Sequence, residues 1–469
     1  MRSKNKNIIY EDIKIIDTAS KGKSVGKTAD GKTIFIDKGV PGDIVNVNVF
    51  KKRKGFLEGR IEKLISPSPN RIDPECDHFG ICGGCKWQNM NYAAQLIFKQ
   101  KEVLENIKRI GKIDLIEPET ILGSSEQYFY RNKMEFSFSN KRWLTIDEIN
   151  DKENDLNKNG LGFHKPGMWD KIIDIEKCYL QEDPSNEIRN SIRKYSFKNN
   201  LSFYDYYNKT GLLRTLMIRT SSNGGLMVLI QFFENEVKKI ASLLEYLTSE
   251  FPAISSLNYC VNSKDNDTLY DQEIICYSGK SYITESIEDL KFKITPKSFY
   301  QTNSKQAYEL YKITLDYASL QGSEIVYDLY TGTGTIAQFI SKKCHKVIGV
   351  ESVAEAIEAA KHNAKANKIR NVEFVVGDMK TVFNDDFINK YGKADVVITD
   401  PPRDGMHKKV VEQILKLSPK KIVYVSCNSA TQARDLFILK GNYKISRSRA
   451  VDMFPQTHHV ENVVLLEKQ

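Results

Sequence analysis

The strongest constraint on this chain lies in its carboxyl-terminal third. From Gly322 onward the runs EIVYDLY, KVIGVE, VEFVVGD, ADVVITD and KIVYVS are short, apolar and β-branched, and helical segments separate most of them. A strand that is apolar along its whole length is buried on both faces, and strands that alternate with helices pair in parallel. Residues 296–469 are therefore expected to form an α/β domain with a doubly wound parallel sheet. The chain has 469 residues, too many for one compact core, so further domains must precede it.

Residues 8–65 read as short strands between glycine turns, with Gly22, Gly26, Gly31, Gly39, Gly42, Gly55 and Gly59 as punctuation. That spacing predicts a small barrel over 1–66. The chain carries +9 overall, and residues 1–60 alone hold 14 Lys/Arg against 7 Asp/Glu. The positive field is thus concentrated on the barrel. The run KKRKG at 51–55 falls on a hairpin, where exposed cations can follow a phosphate backbone. The proline-rich SPSPNRIDPEC that follows reads as a linker, and YAAQLIFKQKEVLENIKRI (92–110) as a helix. Residues 67–295 mix strand-like and helical runs, an α+β pattern, and the polar insert at 147–160 reads as a mobile loop. There is no internal repeat. No apolar run approaches the 18 residues that a membrane span needs, and Glu11 and Asp12 interrupt the basic start before any signal-like core. Eight cysteines are too few for a disulfide scaffold. The expected compartment is the cytoplasm, with reduced thiols available for metal binding or catalysis.

Asp328-Leu-Tyr-Thr-Gly-Thr-Gly-Thr335 joins a strand to a helix. Gly332 and Gly334 permit a tight turn and close approach of a ligand to a helix that presents unpaired N–H groups. Glu351, 23 residues after Asp328, ends the next strand, where an acid can accept both hydroxyls of a ribose. Asp378 follows the third strand, within reach of an adenine amino group. These residues resemble the class I methyltransferases that use S-adenosyl-L-methionine. The loop lacks the third glycine of the dinucleotide fingerprint, since Thr335-Ile336-Ala337 follows Gly334, and this weakens a nicotinamide or flavin reading.

The fourth strand ends in Asp400-Pro401-Pro402-Arg403. Amino-methylating enzymes usually place an aromatic residue after Asp/Asn-Pro-Pro, and cytosine carbon-5 enzymes a cysteine after the first proline; here Arg403 and Pro402 stand instead. The fifth strand delivers Cys427 at its carboxyl end, the side on which ligands sit in open α/β sheets. A core cysteine is the bland alternative. The last strand, ENVVLLEK, starts with Glu461, which would share the cleft if the strand ran antiparallel. His458 and His459 read as turn residues rather than as a base or metal ligands. A thiol and a carboxylate together suit one chemistry. Thiolate addition at uracil carbon-6 makes carbon-5 nucleophilic, and a base then removes the carbon-5 proton so that the thiol can leave. Cys427 would be the nucleophile, Glu461 the base, and Asp400 an orienting group.

Cys76-x5-Cys82-Gly-Gly-Cys85 places three thiols on one glycine-containing loop, and Cys178 is the best fourth ligand. Four thiolates can hold zinc or an iron–sulfur cluster, and spacing does not choose between them. The pattern is not that of radical S-adenosylmethionine enzymes, and a redox dithiol lacks the local strand–helix setting. Cys260, Cys276 and Cys344 have no partners by spacing.

Taken together, SFYQTN with Gln301, DLYTGTGT, Glu351, DPPR, VSCN and HHVEN resemble the RNA uracil-5 methyltransferase family. That resemblance implies that Gln301, Tyr330, Glu351 and Asp400 contact S-adenosyl-L-methionine. Ser429 departs from it, where relatives carry proline, as does Thr335, where they often carry asparagine. The segment CDHFGICGGCKWQNMNYAAQL is similar to the iron–sulfur region of the subgroup acting on large-subunit ribosomal RNA. It implies a 4Fe–4S cluster on Cys76, Cys82, Cys85 and Cys178, serving folding or RNA docking. Residues 22–61 resemble a TRAM domain, an OB-like RNA-binding barrel. The implied activity is uracil carbon-5 methylation of 23S ribosomal RNA, with the base flipped out of its stack. Transfer RNA methylation by the same machinery is the nearest alternative, ahead of cytosine methylation or a non-catalytic RNA-binding scaffold. Tyr130-Arg131-Asn132-Lys133 reads equally as an RNA contact and as the approach to a strand. No obligate protein partner is evident.

Overall fold

A computed structural model describes residues 8–115, 117–150 and 157–469. The chain divides into two compact units: residues 1–128, 427–437 and 449–462 form one, and residues 129–426, 438–448 and 463–469 the other.

The first unit opens on β1 (Ile8–Ala19), β2 (Lys23–Lys27), β3 (Thr33–Asp37), β4 (Ile44–Lys52) and β5 (Phe56–Ser66), which close into a barrel in the order β1-β2-β3-β5-β4. The period-2 pattern decides the inside. Val45, Val47 and Val49 of β4 point into a core shared with Ile13, Ile15, Ile34, Ile36 and Leu57. Gly59 lets two strands pass closely, since a Cβ there would come within 2.4 Å of Val47 Cγ1. Lys52, Arg53 and Lys54 stand exposed at the β4–β5 turn, as the charge pattern predicts. Lys23 and Lys51, by contrast, are spent on Glu58, and their hydrogen bonds hold its carboxyl down at about 2.

The proline-rich segment after the barrel is less free than a linker. Asp43, fully buried, accepts hydrogen bonds from Val40 N (2.7 Å) and Ser68 N (2.9 Å), and Arg71 grips both its oxygens at 3.0 and 2.5 Å. Helix α1 (Tyr92–Arg109) starts at Asn91, whose Oδ1 accepts from Ala94 N, and ends within one residue of the expected position. A short strand, β6 (Glu119–Leu122), pairs in parallel with Arg449–Val451.

The second unit begins with a seven-stranded sheet. Its members are β7 (Lys133–Ser139), β8 (Gly160–Lys165), β9 (Met168–Asp174), β10 (Leu213–Thr220), β11 (Leu226–Phe232), β12 (Ser256–Val261) and β13 (Ile275–Gly279), in the order β13-β12-β11-β10-β7-β8-β9. In chain order α2 (Ile146–Asn150), α3 (Ser185–Lys198) and α4 (Val237–Glu250) interrupt it. The insert expected to be a mobile loop is helical at its start, because Thr145 Oγ1 accepts from Glu148 N (3.2 Å) while Thr145 N donates to Glu148 Oε2 (2.8 Å). Residues 151–156 of that insert lie outside the described residues.

A hairpin, β14 (Ile283–Ile287) and β15 (Leu290–Ile294), and helix α5 (Ser304–Ala318) lead into the expected α/β region. There β16 (Ile325–Leu329), α6 (Thr335–Ile340), β17 (Lys346–Glu351), α7 (Ala354–Ala366), β18 (Val372–Val376), α8 (Met379–Val382), α9 (Asp385–Tyr391), β19 (Val396–Thr399), α10 (Lys408–Leu417) and β20 (Lys421–Ser426) alternate. Then come α11 (Ser429–Leu439), β21 (Tyr443–Val451) and β22 (Glu461–Lys468). The strand order is β18-β17-β16-β19-β20-β22-β21, and the first five strands are parallel. Lys468 N donates to Lys420 O and Gln469 N to Asn442 O, so β22 ends beside the starts of β20 and β21 and runs antiparallel to both. Among the described residues no helix is long and apolar enough to cross a membrane.

Candidate active site

The loop after β16 has an unusual backbone. Tyr330, Gly332 and Gly334 take φ values of 64°, 55° and 74°. Glycine is at ease there, whereas an aromatic residue in the left-handed region is strained, and such strain gathers at functional sites. A Cβ on Gly334 would meet Phe374 Cζ at 2.6 Å, while one on Gly332 would meet nothing within 4 Å. The loop is therefore packed against β18 on one side and open on the other, a cradle that suits a ligand.

Acidic side chains surround this cradle at the carboxyl ends of the parallel strands. Asp328, 1% exposed, accepts from the Thr331 hydroxyl, and burial pushes its carboxyl up to about 7. Burial, then the nearby Asp328 charge, raises Asp400 to about 7 as well. Among the described residues neither forms an ion pair, so a cationic ligand would complement both. Glu351 is held in one orientation, Oε2 accepting from Gly332 N (3.2 Å) and Oε1 from Ser352 N (2.7 Å) and Val353 N (3.0 Å). Asp378 is exposed and caps α8, accepting from Lys380 N at 2.9 Å. Gln301 is half-buried, and its carbonyl accepts from Asn132 Nδ2 (2.9 Å), which also donates to Ser304 Oγ (2.7 Å). Asn132 thus fixes the SFYQTN segment, and Lys133 next to it starts β7.

Cys427 follows the last residue of β20 and is partly exposed, not enclosed in the core. The next residue, Asn428, caps α11: its Oδ1 accepts from Ala430 N (3.1 Å) and its carbonyl from Gln432 N (3.0 Å). Glu461, 7% exposed, begins β22. One reciprocal pair joins the two segments. Gln432 Nε2 donates to Asn462 O (3.2 Å), and Asn462 Nδ2 donates to Gln432 Oε1 (2.8 Å), with both residues fully buried. The helix behind the thiol is thereby tied to the strand that carries the carboxylate. Asn462→Leu should remove the donor to Gln432 Oε1, leave the bond to the backbone carbonyl of residue 462 in place, and cost about 1–3 kcal/mol of stability, readable as a lower denaturant midpoint.

The turn leading to Glu461 is anchored on α1. Lys99 and Asp452, both fully buried, pair at 2.6 Å; Tyr92 Oη adds a bond to Asp452 (2.9 Å), and Lys99 Nζ another to Phe454 O (3.1 Å). Gln456, at φ 67°, exchanges hydrogen bonds with Gln95, and its carbonyl accepts from Lys86 N (2.9 Å) and Trp87 N (3.0 Å). His458 and His459 are half-buried turn residues whose rings lie 4.2 Å apart.

Cys76, Cys82 and Cys85 share one loop, each partly exposed, and Gly84 N lies 3.4 Å from Cys82 Sγ as a donor. Cys178 is buried, which raises its thiol. In ligand type these four suit a thiolate-bound metal centre. No group of three or more His, Cys, Asp or Glu side chains is assembled around a metal position among the described residues. Cys260 and Cys344 are buried, and burial pushes both up to about 11; Cys276 is partly exposed.

Comparison with known proteins agrees with this geometry. Residues 270–469 match the tRNA (uracil-5-)-methyltransferase family, and residues 10–61 match the TRAM domain. A protein named as an uncharacterised RNA methyltransferase, from Bacteroides thetaiotaomicron, is 52% identical over 96% of this chain and 99% of its own. Another, from Porphyromonas gingivalis, is 51% identical over 97% and 99%. The crystal structure of Pyrococcus abyssi tRNA (uracil-54, C5)-methyltransferase in complex with S-adenosyl-L-homocysteine superposes with a TM-score of 0.74 at 29% identity, covering 97% of this chain and all of that one. With a strained glycine cradle, a thiol and a carboxylate on tied segments, and relatives matched along almost its whole length, the chain belongs to the RNA (uracil-5-)-methyltransferase family and carries a TRAM domain at its amino end.

Proposed function

We propose that the protein transfers a methyl group from S-adenosyl-L-methionine to uracil carbon-5 in 23S ribosomal RNA, through a covalent adduct between Cys427 and uracil carbon-6. The observation that carries this reading is the Gln432–Asn462 pair, which holds the segments of a partly exposed thiol and a carboxylate together. Gln301, Tyr330, Glu351, Asp378 and Asp400 hold the methyl donor: Glu351 accepts the ribose hydroxyls, Asp378 the adenine amino group, and Asp400 complements the positive charge. Cys427 Sγ bonds to carbon-6 of the flipped base and leaves an enolate whose carbon-5 takes the methyl group. Glu461 then removes the carbon-5 proton, and the carbon–sulfur bond breaks to restore the ring and the thiolate.

Cys76, Cys82, Cys85 and Cys178 would hold a 4Fe–4S cluster, which supplies structure or RNA docking rather than electrons, because methyl transfer is a two-electron step. Iron analysis and the absorption spectrum of anaerobically purified protein test that assignment; a zinc content with no iron overturns it. Transfer RNA is the second reading, favoured by the named substrate of the Pyrococcus enzyme. Mapping 5-methyluridine in both RNAs of a deletion strain decides between them: loss from 23S RNA alone supports the proposal, and loss from transfer RNA alone replaces it.

The raised acids give a pH signature. Asp328 and Asp400 sit near 7 in the folded protein against an ordinary 3.8, so both lose their charge as pH falls through 7. Affinity for the cationic donor should fall between pH 8 and pH 6, by up to about tenfold per unit for each carboxyl. S-adenosylhomocysteine, which lacks the sulfonium, should fall less. Calorimetric titration of both ligands across this range checks the difference.

A further inference from the structure

Away from the acidic cradle, the central sheet of the second unit carries an aromatic surface that no step of the reaction uses. Trp169, at the start of β9, is 58% exposed, and Tyr207 is 56% exposed; their ring centres lie 4.9 Å apart. Met168 beside them is 46% exposed. Behind this outer pair the rings continue inward, through Tyr206, 6.2 Å from Trp169, to Tyr204, which is buried. Isolated surface aromatics need no explanation, but a contiguous run of tilted and edge-to-face rings with one end in water does.

Two lysines and a histidine lie beside these rings. Lys141 Nζ lies 3.8 Å from the centre of the Tyr207 ring, His164 Nε2 is 3.3 Å from Tyr206 Oη, and Lys165 lies over Trp143 at 4.9 Å. The acid closest to the rings, Asp205, pairs with Lys141 at 3.4 Å and otherwise faces the backbone of its own loop. Asp205, 6% exposed, accepts from Tyr207 N (2.8 Å), Asn208 N (3.0 Å) and Asn140 Nδ2 (2.9 Å). These bonds outweigh its burial and hold its carboxyl below the usual range. They also fix the Tyr207 loop, so the outer ring is held in place before any partner arrives.

We propose that Trp169 and Tyr207 form a stacking platform for unpaired bases of the substrate RNA, with Lys141 and Lys165 directed at its phosphates. Flat rings interleaved with cations are what a single strand needs: each base has a face to stack and each phosphate a charge to meet. A duplex keeps its faces covered and would gain only the charge. The inference rests on RNA being the substrate and adds where the strand beside the target base is gripped.

The test is binding of a fluorophore-labelled eight-nucleotide single-stranded RNA to the full-length protein, read by fluorescence anisotropy and repeated across a salt series. Trp169→Ala with Tyr207→Ala should weaken the single strand by about tenfold or more, leave the salt slope unchanged, and barely alter a duplex of the same length. Trp169→Phe should restore most of the affinity, which a folding defect would not allow. Lys141→Gln with Lys165→Gln should flatten the salt slope. Unchanged affinity in the double alanine variant overturns the platform, as does an equal loss for duplex RNA or heparin. Methyl transfer by the unaltered enzyme separates the two readings. If RNA is methylated while the alanine variant binds normally, only the platform fails; if no RNA is methylated at all, the catalytic proposal fails first.

Discussion

Cys427→Ala should lose methyl transfer by about 10⁴-fold or more while still binding the donor, because the covalent route disappears and no other thiol of the chain occupies its position. Glu461→Gln should also turn over slowly, by about 10²–10⁴-fold, but for a different reason. Its Cys427 still adds to carbon-6 and carbon-5 still accepts the methyl group, yet the proton on carbon-5 has no base to take it. The adduct then accumulates and should appear as a protein–RNA band that survives denaturing electrophoresis, with the donor's radiolabel in it. Cys427→Ala should show no such band. Residual methylation by Cys427→Ala, or equal loss without any adduct in both variants, would refute the assignment of these two roles.

The second large effect is on stability. Asp452→Asn leaves the Lys99 ammonium fully buried beside a neutral amide, and loss of one partner of a buried pair costs about 3–5 kcal/mol. Lys99→Met should cost less, since the apolar stem remains and Asp452 retains its donors from Tyr92 Oη and Phe454 N. Alkaline pH should distinguish these variants. Burial pulls Lys99 below its ordinary 10.5, and Asp452 is the main group working against that pull. Without Asp452 the folded value drops further, so the folded state gives up its proton before the unfolded state does. Stability of Asp452→Asn therefore rises with pH between that folded value and 10.5, and its deficit against the wild type narrows. Urea midpoints at pH 7 and pH 10 measure the effect; a deficit that does not change with pH would mean that Lys99 is not the group responsible.

The parts legible in the sequence are those with a local cause. Continuous β-branched runs could only be buried parallel strands, and the glycine pair with Asp328, Glu351 and Asp400 at strand ends marked the cradle. The antiparallel course of β22, on which the reading of Glu461 as a base depends, follows from where its last residues bond. Thr145 and Glu148 were a readable helix start inside an insert dominated by its polar composition. Polar pairs distant in sequence were not legible. Nothing near Asn132 announces that it holds Gln301, 169 residues away, and neither Gln432 nor Asn462 names the other. Lys99 looks like a surface lysine on an amphipathic helix until the structure places Asp452 beside it. Periodicity reports which face is apolar; it carries no information about which buried polar group will be matched by which.

The pairing of residue 99 with 452, and of 95 with 456, also bears on how the chain is made. The barrel strands lie next to one another in sequence and can assemble as soon as they leave the ribosome. Helix α1 cannot reach its final state then, for the residues that neutralise its buried ammonium and complete its amide contacts lie more than 350 residues further along the chain. During synthesis it must wait with an unmet charge and uncovered apolar surface, while the loop to be closed grows to more than 350 residues. Maturation of this unit therefore waits for the segment that carries residues 452 and 456, and a chain broken off before residue 449 should retain a folded barrel attached to a helix that has no place to dock.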